Sequence, residues 1–338
     1  MLPAMGASRC DSPLPLLTLV TALLAALVTP TGADAPRAAS HVKPLETAPT
    51  LPGPVRLTRA ESDSLTAAIL RDRADTEDWL QKSPTSYLAT VQRRDFGDRT
   101  TLTVGKAADN DVRLFDPHVL PHHLRVTVVG DSFRVVTVDS AARFGTASDS
   151  NLTSATLPPS TIDLARYKVR LSHQRFPALI VFDPKSPRFK LYKGIQYFPV
   201  DLRWRFVVPL TPNPSADTIL ILSTRGNQRR AVVMGWFEFT AGGKPCRLSA
   251  TRLLEPGIGE NDVSVFFRDE TTGNLTYPVG RYVDPEKLAD GRYLIDFNLA
   301  YSPACAFSEH YNCPIPPHDN RLPVAVQAGE MDSHYMPH

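Results

Sequence analysis

The stretch Arg125-Val-Thr-Val-Val-Gly-Asp-Ser-Phe-Arg-Val-Val-Thr-Val138 decides the fold of this chain. Its β-branched residues alternate with others on both sides of Gly130-Asp131, which predicts two antiparallel strands joined by a tight turn. Comparable runs recur from residue 87 onward at a spacing of about 8–12 residues, which is typical of an all-β protein. They are Thr100–Val104, Tyr167–Leu171, Leu179–Phe182, Trp204–Val208, Ile219–Ser223, Ala231–Met234, Phe237–Thr240, Val263–Phe267 and Tyr293–Phe297.

No long helical pattern separates these runs, which excludes a doubly wound nucleotide-binding sheet. The 31 prolines among 338 residues also argue against long helices. We therefore predict a mainly β fold with two β-sandwich or barrel-like units and one short N-terminal helix. That helix is predicted over residues 58–82, where Thr58 and Glu61 have the spacing of a capping box and no proline occurs before Pro84.

The first 35 residues have the pattern of a signal peptide. Arg9 precedes an apolar run from Leu14 to Val28, and small residues then offer cleavage near Ala33 or Ala35. The run is short for a transmembrane helix, although an uncleaved anchor stays open as an alternative. We expect a secreted or periplasmic protein that has no membrane span once it is mature.

The remaining boundaries follow from shifts in composition. Residues 36–56 are rich in proline and predict a linker, and the helix occupies a segment over 57–86. The first β unit is predicted over 87–186, the second over 187–330, and a tail over 331–338. With 37 Lys and Arg against 35 Asp and Glu, the formal charge of +2 gives no case for nucleic-acid binding.

Removal of the signal peptide would take away Cys10 and leave three cysteines. Cys305 and Cys313 are predicted to form a disulfide in an oxidising compartment, and Cys246 would then be a buried thiol or an intermolecular partner. A zinc site that joins the pair to His310 and His318 is rejected, because eight-residue spacing lacks the short knuckle of such sites. His118, His122 and His123 are interpreted as loop residues, so neither a metal nor a cofactor is expected.

Residues 102–146 contain three short motifs that together resemble those of a known family. They are Val104-Gly105-Lys106, Leu120-Pro121-His122-His123 and Phe144-Gly145-Thr146. The segment resembles a forkhead-associated domain, a β-sandwich that binds phosphothreonine. In that family an arginine, a serine and an asparagine serve recognition, and here Lys106, Leu120 and Phe144 stand at those positions. His123, which is structural in the family, is kept. The resemblance implies a related scaffold that has lost its binding chemistry.

The C-terminal part of the chain contains longer sequence segments that resemble those of a known family. Residues 188–330 resemble the bacterial and archaeal family catalogued as domain of unknown function 1684 (DUF1684), and this resemblance implies no assigned activity. The segments that carry it are Lys193–Arg205, Gly235–Phe239, Phe266–Gly273, Tyr277–Tyr282, Asp296–Phe307, Cys313-Pro314, Asn320–Leu322 and Ala328–Glu330.

Eight polar residues in these segments form a candidate site: Asp269, Thr271, Tyr277, Arg281, Asp296, Asn298, Asn320 and Glu330. Asp296 and Asn298 would share one face of a strand, and Arg281 could reach such a carboxylate in a bidentate pair. The group could bind a polar ligand or cation or perform acid–base chemistry, with His310 as a further candidate base. It could equally be a buried network that fixes the fold, which we favour because no nucleophile–base pair is spelled out.

These observations leave two functions open. The first is a non-catalytic binding or scaffold module with an unknown ligand or protein partner. The alternative is an extracytoplasmic hydrolase or metal-dependent enzyme that uses the polar residues of the C-terminal domain. The sequence does not decide whether the chain is an enzyme.

Overall fold

The computed structural model describes residues 51–334, and strand dominates over helix in them, at 38% against 14%. The predicted mainly β fold is confirmed. No sheet in this range closes into a barrel, so the units are open or sandwiched sheets. The predicted signal peptide and most of the predicted linker lie outside the described residues. No helix of the described part has both the length and the apolarity to cross a membrane.

Helix α1 spans Arg59–Lys82, and its start is fixed by the predicted capping box. The Thr58 hydroxyl accepts from the Glu61 amide at 3.3 Å, and the Glu61 carboxylate accepts from the Thr58 amide at 2.7 Å. Two amide groups at the open end of the helix are thereby satisfied. Its bounds lie within one residue of the predicted range 58–82, and it runs for 24 residues because the next proline, Pro84, comes only after its end.

The first β unit has nine strands: β1 (Thr90–Asp95), β2 (Thr101–Gly105), β3 (Val112–Arg113), β4 (Leu124–Val129), β5 (Ser132–Thr137), β6 (Ser154–Leu157), β7 (Ser160–Leu164), β8 (Tyr167–His173) and β9 (Pro177–Phe182). They form a five-stranded sheet in the order β3-β2-β4-β5-β6 and a four-stranded sheet in the order β1-β9-β8-β7. All neighbours are antiparallel except β2 and β3.

The two sheets bury their apolar faces against each other as a β-sandwich. Leu102, Val126 and Val135 from one sheet share a core with Val169 and Val181 from the other, and none of them is exposed. The predicted hairpin is β4–β5, whose turn contains Gly130 at φ +58°. Glycine adopts this left-handed conformation without the steric cost that a side chain would add.

The second β unit follows a one-turn helix, α2 (Arg188–Leu191). Its strands are β10 (Arg205–Val208), β11 (Leu210–Pro212), β12 (Thr218–Leu222), β13 (Gln228–Ala241), β14 (Lys244–Leu253), β15 (Val265–Phe267), β16 (Arg281–Val283), β17 (Glu286–Lys287) and β18 (Tyr293–Asp296). Strand β13 pairs with β11, β12 and β14, whereas β10-β18-β17 and β15-β16 form two smaller sheets. Phenylalanine rings join these sheets, with Phe206 4.6 Å from Phe239 and Phe267 5.2 Å from Phe297 between ring centroids.

Two predicted strands, Ala231–Met234 and Phe237–Thr240, are one strand in the structure. Strand β13 continues through them with a register shift against β14 between Val233 and Gly235. A side chain at Gly235 would lie 2.2 Å from the Thr211 carbonyl oxygen, so glycine permits the close approach of β11. The bulge interrupts the alternating sequence pattern, so the pattern predicts two strands where the structure has one.

Helix α1 docks on the second unit through both polar and apolar contacts. Arg73 Nη1 donates to the Phe198 carbonyl at 2.9 Å, and Leu80 lies in a buried cluster with Tyr282 and Phe307. The chain just before the helix is also held, since the Val55 amide donates to the Arg205 carbonyl at 2.9 Å. The end of the predicted linker thus adds to the edge of the second unit.

Candidate functional site

The predicted polar site is divided among separate buried networks. All eight of its residues are less than 8% exposed. The best-connected of them is Asp269, which follows β15 and faces Arg281 at the start of β16. Its carboxylate accepts from Arg281 Nη2 at 2.8 Å, from the Val326 amide at 3.0 Å and from the Thr271 hydroxyl at 2.6 Å. These bonds satisfy a buried charge within the protein.

Arg281 holds the C-terminal segment as well as Asp269. Its guanidinium donates to the carbonyls of Ala328 and Glu330, and to that of Val326 at 2.8 Å. Complete burial lowers the pKa of Arg281, and the Asp269 carboxylate opposes that shift. The prediction that Arg281 reaches Asp296 is wrong, because the β15–β16 pairing places Asp269 beside it.

Asp296 pairs instead with Arg205, its neighbour across β10 and β18. Its other oxygen accepts from the amide of Asn298 at 3.0 Å and caps a single 3₁₀ turn. Asn298 therefore lies beyond the end of β18, and the prediction that the two residues share a strand face is wrong. The Asn298 side chain bonds both backbone groups of Asp201, each at 2.9 Å.

The remaining three residues also bond to the backbone. Asn320 accepts from the Ser249 amide at 2.7 Å and donates to the Phe266 carbonyl at 2.8 Å. Glu330 accepts from the Ser302 amide at 2.6 Å, and the Tyr277 hydroxyl donates to the Cys305 carbonyl at 3.2 Å. Burial raises the pKa of Tyr277. The networks hold loops in place and present no side chain to an open surface.

Cys305 and Cys313 lie beside this network as free buried thiols, and the predicted disulfide is absent from the structure. Their hydrogen bond to each other raises the pKa of Cys305 and lowers that of Cys313. Cys246 is also a free buried thiol. His310, in the loop between the pair, is half-buried; burial lowers its pKa, the Arg188 and Arg225 charges add to that effect, and Glu309 opposes it.

The His123 side chain connects two loops of the sandwich. Its Nδ1 accepts from the Leu120 amide at 3.1 Å and its Nε2 lies 2.8 Å from the Arg143 carbonyl, so it ties together two of the loops that carry the forkhead-like motifs. His118 faces Asp116 at 3.2 Å, whereas His122 lies 3.8 Å from Asp109. Within residues 51–334 no group of three His, Cys, Asp or Glu side chains is arranged to hold a metal ion.

One charged cleft was missed by the sequence analysis. It lies between the end of α1 and residues 184–194, has a volume of about 770 Å³, and is lined by Lys82, Lys185, Lys190 and Lys193. We call it the lysine cleft. A local signal existed, since three of these lysines fall within nine residues near Pro184 and Pro187. The fourth comes from a helix distant in sequence, so only the fold brings the four together.

A smaller depression of about 420 Å³ lies on the outer face of β4 and β5, where Arg125 and Arg134 flank Thr127 and Val136. Both arginines are exposed. The described residues thus offer a further basic surface on the sandwich.

Comparisons with known proteins place the C-terminal part of the chain. Residues 190–331 match the family model described as "Protein of unknown function (DUF1684)". An uncharacterized protein of Haloarcula marismortui, solved by solution NMR, is 33% identical over 44% of this chain and 82% of its own, with a TM-score of 0.35. No curated protein matches the chain.

A second solved structure is Mycobacterium tuberculosis EmbR in complex with a low-affinity phosphopeptide. It is 15% identical, covers 36% of this chain and 32% of its own, and has a TM-score of 0.20. The matched segment agrees, to within two residues at each end, with the sequence resemblance over residues 188–330. Through residues 190–331 the chain belongs to the DUF1684 family.

Proposed function

We propose that the chain is a non-catalytic binding or scaffold module. The observation that carries this proposal is the burial of all eight candidate polar residues, which are bonded chiefly to backbone groups. A general base or nucleophile must come within hydrogen-bonding reach of its substrate, and the bonds of Asp269 and Asp296 are directed at the protein itself. Lys106, Leu120 and Phe144 in the forkhead-like loops also argue against phosphothreonine recognition.

A substrate panel tests this proposal. The purified protein is assayed against ester, phosphoester, glycoside and peptide substrates, with and without added divalent metals. We expect no turnover above that of the Asp296→Ala variant. Turnover that Asp296→Ala abolishes while the far-ultraviolet circular dichroism spectrum is retained would overturn the proposal.

We propose further that a signal peptide over residues 1–35 exports the chain from a bacterial cell, and that Cys305 and Cys313 are oxidised outside the cytoplasm. The burial of both thiols in one cluster with Tyr277 and Tyr282 supports the pairing. Oxidation would form one S–S bond and pass two protons and two electrons to an oxidant, such as the disulfide of a thiol oxidoreductase.

The test is alkylation of the unfolded, exported protein before and after reduction, followed by mass spectrometry. We expect the mature chain to begin near Ala35 and to gain two additional alkyl groups at Cys305 and Cys313 on reduction. Equal labelling before and after reduction would contradict the disulfide. Retention of residues 1–35 would contradict cleavage and favour an uncleaved anchor.

A further inference from the structure

The lysine cleft has an unbalanced charge. Of its four lysines, Lys82 pairs with Asp78 on the exposed face of α1, where an ion pair adds little. Lys185, Lys190 and Lys193 are exposed and pair with no carboxylate of the described residues. The carboxyl end of α1 adds only a partial negative charge. The cleft therefore holds a net positive charge that an anion would neutralise.

The single carboxylate that lines the cleft, Glu77, is already occupied. It accepts from the Tyr192 hydroxyl at 2.7 Å, from the Ile195 amide at 3.2 Å and from Gln81 Nε2 at 2.8 Å. These bonds fix Tyr192 and the chain around Gly194 against α1. Glu77 thus shapes the wall of the cleft, and the three donors to its carboxylate come from residues other than the lysines.

The lining also indicates which anion fits. Its basic groups are all lysines, and lysine binds phosphate groups as a compact point charge with three donors. Phe189, Pro84 and Pro184 contribute apolar surface that could cover carbon atoms. The volume of about 770 Å³ lies within the range of about 300–1,000 Å³ that small-molecule sites have.

We propose that the lysine cleft binds a small organic molecule that carries two or more phosphate groups. The phosphates lie against Lys185, Lys190 and Lys193, and the carbon body lies against Phe189 and the two prolines. This proposal rests on the proposed function, because it names the ligand class of a binding module.

Isothermal titration calorimetry of the purified protein tests the site, with fructose 1,6-bisphosphate, pyrophosphate and inorganic phosphate as probes. We expect saturable binding of the bisphosphate and of pyrophosphate, each at least about tenfold tighter than inorganic phosphate, because two charged groups engage more lysines. We also expect affinity to fall as salt rises, since exposed charges are screened. The bisphosphate binds at least as tightly as pyrophosphate if its carbon body is covered.

Paired variants locate the ligand. Lys190→Gln with Lys193→Gln should weaken binding of the bisphosphate about a hundredfold, at about tenfold for each charge contact. The matched control, Lys244→Gln with Lys287→Gln, removes the same charge from exposed positions outside the cleft and should keep affinity within twofold. A further variant, Arg125→Gln with Arg134→Gln, probes the other basic surface. Absent binding, or binding lost in either of these last two variants and kept in the first, overturns the proposal.

Phosphate release during the same titrations separates this inference from the proposed function. Binding at the cleft without phosphate release supports both. Binding at the cleft with steady phosphate release keeps the site and overturns the non-catalytic function. No binding and no phosphate release overturns the site and leaves the proposed function standing.

Discussion

Asp269 Oδ2 accepts a hydrogen bond of 2.8 Å from Arg281 Nη2 where solvent is excluded, since the two side chains are 0% and 1% exposed. The same carboxylate oxygen accepts from the Val326 amide, and the same guanidinium nitrogen donates to the Val326 carbonyl. The ion pair thus holds the backbone of Val326 through both its amide and its carbonyl. It joins the β15–β16 hairpin to the last segment of the chain, which is a structural task.

Loss of the Arg73 side chain should loosen the docking of α1. Arg73→Ala removes the donor to the Phe198 carbonyl and the guanidinium 4.5 Å from the Tyr197 ring centroid. We expect a loss of about 2–3 kcal/mol in the free energy of unfolding, measured in urea, because a hydrogen bond from a charged group is removed. Arg71→Ala, at an exposed position of the same helix, should change stability little. Equal effects of the two substitutions would contradict the docking role.

The capping box should make stability depend on pH in the acid range. Hydrogen bonds from the side chain and backbone of Thr58 lower the pKa of Glu61 from 4.5. Since the folded state favours the charged carboxylate, this contribution is present above pH 4.5 and is lost as the pH falls through the lowered value. Thermal unfolding from pH 7 to pH 3 should show Glu61→Gln less stable than wild type at pH 7, with the difference shrinking as the pH falls toward 3.

The control for the cap is Asp75→Asn, on the exposed middle of α1. It leaves Thr58 and Glu61 in place, so the pH dependence that Glu61→Gln removes should persist. A Glu61→Gln difference that is the same at pH 7 and pH 3 would show that the charge on Glu61 has no part in the cap.

His310 should destabilise the fold on mild acidification. Burial lowers its pKa from 6.5, so the unfolded chain takes up this proton more readily than the folded chain. The stability that depends on neutral His310 is therefore present above pH 6.5 and is lost as the pH falls toward the lowered value. In the His310→Gln variant, the unfolding midpoint should change less between pH 7.5 and pH 5.5 than it does in wild type. His318→Gln, at a fully exposed side chain, should keep the wild-type slope.

Local features could be predicted from the sequence. The cap at Thr58 and the hairpin at Gly130 depend on residues within a few positions of each other, and both are confirmed. The need for glycine at position 235 could not be predicted, because the group that approaches it is the Thr211 carbonyl on another strand. Periodicity reports which residues face the core, but it does not report which strands meet.

The site shows the same limit. The sequence identified Asp269, Arg281 and Asp296 as unusual, and all three are buried in ion pairs. Their partners were not predictable, since Arg205 reaches Asp296 only through the pairing of β10 with β18. The lysine cleft was missed for a related reason: Lys82 meets Lys193 only after α1 docks.

The most direct test of the central claim is the free energy of unfolding of Asp269→Asn beside its activity on the substrate panel. Removing one partner of a buried ion pair leaves an uncompensated charge, so we predict a loss of about 3–5 kcal/mol. The matched variant Asp290→Asn, whose partner Arg292 is exposed, should unfold as wild type does. A structural role for Asp269 predicts this loss of stability and predicts no turnover by either the wild type or the variant. Unchanged stability together with loss of a wild-type activity would contradict it.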